Sequence, residues 1–281
     1  MTARAVRAPG RAGRGTAGLG WPVQGLALLA ALTLGLPVLV LIGRAVLDGA
    51  LISSSTMRVV IDALALSLVT TTISLMLTIV LGTPLALLLA RRTFRGQTLV
   101  ETAIDLPIVL PPSVAGLALL LVFGRRGLLG ESLSVLGIEI AFTTIAVVIA
   151  QTFISAPFYI RSARTGFASV DHDLEDAARV DGASERQLFR SITVPLASAA
   201  LAAGLVMSWA RALGEFGATI MFAGSVAGKT QTLPLVVYAE FQGGDLDAAI
   251  AAASILVLAA FGVLVSVRIL HFGRVLDVRG A

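Results

Sequence analysis

Apolar residues gather into six runs, roughly 22–47, 60–90, 103–123, 141–163, 196–222 and 247–270. Each reaches the length of about 20 residues that a helix needs to cross a bilayer. Within the runs Leu, Ala, Val and Ile follow one another without the period-two alternation of a membrane β-barrel. The second run opens amphipathically at Asp62. The pattern predicts an all-α integral membrane protein with six transmembrane helices. Between the fourth and fifth runs lies the longest polar segment, 164–195, where helical periodicity returns on a smaller scale.

Composition agrees with this pattern and excludes others. Of 281 residues, 57% are hydrophobic and 14% charged, and the mean hydropathy is +0.93. Soluble domains hold about 45–50% apolar and about 25% charged residues, so neither a soluble globule nor a disordered chain fits. The formal net charge of +4 reflects basic residues at the ends of the apolar runs, so orientation in a membrane explains it and a nucleic-acid partner does not. Residues 1–20, 91–101, 161–195 and 268–281 hold 15 Lys and Arg, whereas 44–59, 124–140 and 223–246 hold 5. The positive-inside rule places both termini in the cytoplasm, which agrees with an even number of spans. The expected organisation is a disordered basic arm over 1–20, a membrane domain over 21–272 and a cytoplasmic tail over 273–281. The first apolar run exceeds the 7–15 residues of a signal-peptide core.

The chemistry available is narrow. With no Cys, a disulfide framework, a thiolate metal site and a cysteine nucleophile are all excluded. The two histidines, His172 and His271, fall outside the apolar runs, which argues against a histidine proton relay, a metal cluster or an intramembrane Ser–His hydrolase. Gly228-Lys229-Thr230 lacks the rest of a phosphate-binding loop, because Ala223 stands where a glycine is required. Neither a cofactor nor ATP is therefore expected on this chain. Pro37 and Pro84 read as ordinary kinks, but the cluster Asp105 to Pro112, with Pro107, Pro111 and Pro112, predicts a break at the start of the third span. Gly82, Gly116 and Gly204 would let helices approach closely.

In the long polar segment, Leu174, Ala177 and Ala178 fall at i, i+3 and i+4 and make one small apolar face. Asp171, Asp173, Glu175 and Asp176 crowd the first turn, where the helix dipole favours them. Gly182 ends this helix. Ser184 and Gln187 form a capping box for a second short helix, and Ile192-Thr193-Val194-Pro195 leads into the fifth span. Two short helices at an angle on the cytoplasmic face suit docking into another protein; the alternative is a hairpin that only joins two spans.

This segment resembles the EAA loop of permease subunits in ATP-binding-cassette importers. The family pattern is Glu-Ala-Ala, three residues, Gly, nine residues, Ile, one residue, Leu-Pro. Counted from Gly182, the Glu position holds Asp176, with Glu175 beside it, followed by Ala177 and Ala178; Ile192 and Pro195 fit, and Val194 replaces Leu. The resemblance implies that residues 171–184, within a coupling loop spanning 168–195, insert into a cleft of an ATP-binding subunit. Its implied coupling residues are Leu174, Glu175, Asp176, Ala177, Ala178, Gly182, Ile192 and Pro195.

A second stretch, Arg211-Ala-Leu-Gly214-Glu215-Phe216-Gly217-Ala-Thr219, is similar to permeases for molybdate and more loosely to those for sulfate, as are Phe123 to Gly127 and Thr230 to Pro234. Arg211 and Glu215 lie four apart and so share a helix face and can pair. An intramembrane charge costs roughly 2.5–3.5 kcal/mol on insertion scales and usually faces a cavity or a partner. Arg211, Gly214, Glu215, Phe216 and Gly217 are thus either a pathway or gate, or a self-neutralised structural pair with glycines for close packing. Leu233, Leu235, Val236, Val237, Tyr238 and Phe241 suggest an amphipathic helix on the outer surface, as a gate or as an anchored loop. The resemblance implies a non-catalytic permease of the bacterial inner membrane for molybdate, or for tungstate, sulfate or thiosulfate. It would act as a pair, in the simpler case a homodimer, with two ATPase subunits carrying ATP and Mg and with an extracytoplasmic oxyanion-binding protein. A secondary transporter driven alone by an ion gradient would need coupling carboxylates and often inverted repeats; the chain offers Glu215 and no clear repeat.

Overall fold

The computed structural model describes residues 21–47 and 54–277. The basic arm expected over 1–20 lies outside the described residues, as does the end of the expected tail, 278–281. Among the described residues the regular structure is entirely helical: α1 (Trp21–Leu47), α2 (Ser54–Arg91), α3 (Gln97–Val109), α4 (Pro112–Phe123), α5 (Gly130–Val135), α6 (Thr144–Ala168), α7 (His172–Val180), α8 (Glu185–Leu188), a π-helical turn (Phe189–Thr193), α9 (Val194–Leu213), α10 (Gly217–Phe222), α11 (Leu233–Gly243) and α12 (Leu246–Asp277). The chain divides into two units at Gly43 and Arg44. The first contains most of α1, and the second holds the elements that form the sites below.

Five stretches are long and apolar enough to cross a membrane: Val23–Leu47, Met57–Arg91, Thr144–Ala168, Glu185–Leu213 and Leu246–Val265. The sixth, expected over 103–123, is a pair of helices, α3 and α4, bent by 119°. Leu110 and Pro111 between them are extended, with ψ 133° and 132°. Consecutive prolines explain this: neither Pro111 nor Pro112 can donate an amide, and each holds its predecessor out of the helical region. Pro112 then starts α4, where a missing N–H costs nothing. At ~1.5 Å per residue, neither helix alone reaches across the ~30 Å hydrocarbon layer.

The fifth span is also interrupted. α9 ends at Leu213, and α10 begins at Gly217. α4 and α10 touch almost backbone to backbone: a Cβ at Gly116 would lie 2.6 Å from the Ala218 carbonyl oxygen, and one at Gly217 would lie 2.6 Å from Pro112 Cβ. Around this contact Ala115, Leu119, Ala146, Val147, Ala150, Ile154, Ala218 and Phe222 make a buried core. A second core holds α2, α6 and α9 together through Ala86, Tyr159, Ile160, Ala163, Phe167 and Ala197. Gly82 and Gly204 serve there as expected, since an added Cβ would meet Ile160 at 3.0 Å and Ser162 at 2.7 Å.

Polar contacts supplement this packing. Ser67, Thr70, Thr71, Ser74 and Thr78 are all buried along α2. Gln151 Nε2 donates to Thr71 Oγ1 at 3.3 Å, and Thr152 donates to Ser74 Oγ at 3.0 Å. Hydroxyls bonded across helices are a common adhesive in bilayers, where hydrophobic association between helices is weak. Ser67 Oγ accepts the Leu233 amide at 2.8 Å, and this fixes α11. The expected outer-surface helix is consequently sunk at its start: Leu233, Leu235 and Val236 are fully buried, Leu233 and Val236 against Val60, Ala63 and Ala252, while Tyr238 and Phe241 are exposed.

Candidate functional site

Local sequence builds the hairpin of α7 and α8 much as its spacing predicts. Asp171 caps α7 by accepting the Asp173 amide at 3.0 Å. At the other end the Gly182 amide donates to the Arg179 carbonyl and the Ala183 amide to the Ala178 carbonyl, both at 3.0 Å. That pairing is a Schellman motif, and it requires the left-handed φ of +87° at Gly182. Ser184 and Gln187 then form the capping box of α8. Arg179 clasps the two short helices, donating to Asp176 at 2.7 Å and to Glu185 at 2.8 Å. Its bonds to Glu185 and then to Asp176 hold the guanidinium charged well above its ordinary range.

The hairpin presents Leu174, Asp176, Ala177, Val180 and Gly182 as exposed residues and Ala178 as half-buried. Leu174 is 52% exposed and Val180 86% exposed. Spaced at i, i+3 and i+6, Leu174, Ala177 and Val180 form a shallow apolar strip with no partner among the described residues. Ile192 is half-buried and Pro195 exposed where the hairpin leads into α9.

Glu175 points the other way. It is the single buried residue of α7, at 4% exposure. Its Oε1 accepts from Arg91 Nη2 at 2.6 Å and from Thr193 Oγ1 at 2.7 Å. Sequence reading grouped Glu175 with its neighbours and missed both partners: Arg91 reads as one more orienting charge, and Thr193 as part of a connecting run. The available signal was the 100° between consecutive helical positions, which separates Glu175 from Asp176.

The second group of residues meets at the break between α9 and α10. Glu215 lies past the end of α9, so it does not share a regular helix face with Arg211. The pair forms nonetheless, with Arg211 Nη1 2.7 Å from Glu215 Oε2. This is an ion-pair contact that falls off the line of a hydrogen bond. Glu215 Oε1 accepts the Ala218 amide at 2.8 Å and so anchors the first turn of α10. Glu215 is 1% exposed, whereas the Arg211 side chain keeps 30%. Gly214 ends α9, Phe216 packs against Tyr238 with centroids 5.0 Å apart and the rings tilted by 51°, and Gly217 admits Pro112. Among the described residues no group of three or more acidic or histidine side chains is placed to hold a metal ion.

A doubly capped helical hairpin leading into an interrupted apolar bundle has clear relatives. The family model described as binding-protein-dependent transport system inner membrane component matches residues 82–275. The chain belongs to this family. It is a non-catalytic, multi-pass membrane permease component. The molybdenum transport system permease protein ModB of Mycobacterium tuberculosis is 44% identical over 205 residues, 73% of this chain and 77% of the relative. The sulfate transport system permease protein CysT of Salmonella typhimurium is 38% identical over 197 residues, 69% and 71% of the two chains. Among solved structures, a bacterial ABC transporter that imports alginate shares the fold with a TM-score of 0.68 and 19% identity, over 90% of this chain and 95% of that one. A bacterial alginate ABC transporter solved in complex with an alginate pentasaccharide-bound periplasmic protein matches with a TM-score of 0.66 at 18% identity, over 87% of this chain and 92% of that one.

Proposed function

We propose that this permease is the translocation subunit of an ATP-driven importer for a tetrahedral oxyanion, with molybdate as substrate. The observation that carries the reading is the hairpin: a rigid, doubly capped surface with an unpartnered strip at Leu174, Ala177 and Val180, in a chain 44% identical to a molybdenum permease. Two copies form the pathway as a homodimer in the cytoplasmic membrane, with both termini inside. Two ATPase subunits bearing ATP and Mg receive the exposed hairpin residues, and an extracytoplasmic binding protein delivers the anion. Residues 1–20 and 273–281 flank the membrane domain as arm and tail. Closure of the ATPases draws the hairpins together, and the bundle exchanges outward and inward access. Arg211, still partly open, is the pathway-facing group, and Glu215 holds it in place. The similarity to CysT favours sulfate as the second reading.

The test is ATP hydrolysis by the permease and its ATPase in liposomes, with binding protein empty or loaded with molybdate, tungstate or sulfate. Stimulation by the molybdate-loaded form and not by sulfate is expected. Stimulation by sulfate alone keeps the mechanism and replaces the substrate. No stimulation by any form rejects the proposal.

A further inference from the structure

The coupling hairpin has few fastenings to the bundle it must move. α7 packs on α8 and on the π-helical turn, and its only buried residue is Glu175. Between α2 and the hairpin lies a cleft of about 650 Å³, walled by Leu87 and Leu88 on one side and by Leu188 and Phe189 on the other. Leu87 and Phe189 pack on the core at its inner end, Phe189 against Phe167. From α7 the polar contacts that cross it meet at Arg91, where His172 Nδ1 lies 3.0 Å from Arg91 Nη1 beside the Glu175 carboxylate. Glu175 Oε1 takes a charge-assisted bond from Arg91, the last residue of α2, at 2.6 Å, and a second bond from Thr193, at the start of α9, at 2.7 Å. Both bonds are sheltered: Glu175 and Thr193 are 4% and 2% exposed, and the Arg91 side chain is 15% exposed.

The joint itself is unusual. Phe189–Thr193 is π-helical, and the Val194 amide reaches back five residues to the Phe189 carbonyl. Pro195 follows and has no amide to give, so the Ser191 carbonyl lacks its ordinary helical partner. A widened turn of this kind sets helix direction less firmly than regular helix does. The Thr193–Glu175 bond supplies the missing constraint at the joint.

We infer that Glu175, Arg91 and Thr193 form an internal strut that makes α2 and α9 follow the coupling hairpin as one body. Glu175 is thus a positioning residue that acts through the hairpin rather than at its docking surface. The inference rests on the importer reading above. Without the strut, the hairpin would swing at the π-turn, and ATP would be hydrolysed without moving the spans.

The test measures molybdate transported per ATP hydrolysed by the reconstituted assembly. Thr193→Val removes the donor and keeps the shape; it is expected to lower that ratio about tenfold, the size of one lost hydrogen bond to a charged group, with ATPase binding retained. Thr193→Ser keeps the donor and is expected to restore the ratio. An unchanged ratio in Thr193→Val, or a Ser variant no better than Val, overturns the inference. Because the chain has no native cysteine, a second measurement is available if Thr193→Val fails to assemble. Arg91→Cys with Glu175→Cys, bridged by a bifunctional thiol reagent, is expected to transport when bridged and to be uncoupled when unbridged. Bridged protein that assembles but cannot transport overturns the inference. A wild-type assembly that shows no stimulated transport rejects the importer reading instead.

Discussion

Gly182→Arg is expected to abolish substrate uptake while leaving the protein inserted in the membrane. Two effects combine at this position. The left-handed conformation, φ +87°, costs an L-residue about 1–2 kcal/mol. The side chain itself meets no obstacle in the protomer, since a Cβ there has nothing within 4 Å. It would instead project from the exposed end of the strip that is proposed to dock. Gly182→Ala separates the contributions: it carries the backbone strain with almost no bulk, so uptake should fall only partly. Gly182→Asn, whose side chain tolerates the left-handed region, should fall least. Uptake by the three variants, normalised to membrane-inserted protein, gives the order Asn, Ala, Arg. Undiminished uptake by the Arg variant would show that this surface does not dock.

Arg211→Ala is expected to be the most damaging single change inside the bundle. It leaves the Glu215 carboxylate, 1% exposed, without its cation. Stranding one member of a buried pair costs about 3–5 kcal/mol, and the partial exposure of Arg211 places the effect at the lower end. Glu215→Gln should be milder, because an amide oxygen still accepts from Ala218 and Arg211 has a route to solvent. Adding Glu215→Gln to Arg211→Ala should recover most of the lost stability, a non-additivity measurable as the thermal midpoint in detergent. Uptake then divides the two roles. If Arg211 meets the oxyanion, the stabilised double variant folds and still fails to transport. If the pair is only structural, uptake returns with stability.

What the sequence disclosed was largely local. Ser184 and Gln187 find each other within one turn, and Gly182 ends α7 through its own backbone, so both were readable from spacing. Pro111 and Pro112 announced a break because proline acts on its immediate neighbours. The 119° angle did not follow from them, since it depends on Gly116 and Gly217 letting α4 meet α10 from 100 residues away. The burial of the start of α11 was not legible for a related reason: its apolar side chains suit either an interface or a core, and Ser67, far earlier in the chain, holds it by binding the Leu233 amide. At the hairpin, one residue of helical phase separates Asp176, exposed and paired with Arg179, from Glu175, buried on Arg91 and Thr193. A motif read as a string does not distinguish them, because inward and outward are defined only by helices elsewhere in the chain.

The most direct measurement is accumulation of radiolabelled molybdate by bacterial cells that lack their own molybdate permease and express this chain with its ATPase and binding protein. The account predicts ATP-dependent uptake that excess unlabelled molybdate suppresses and excess sulfate does not. It also predicts that uptake disappears in the Gly182→Arg variant. Uptake that persists without the ATPase, driven by the membrane potential alone, would contradict it.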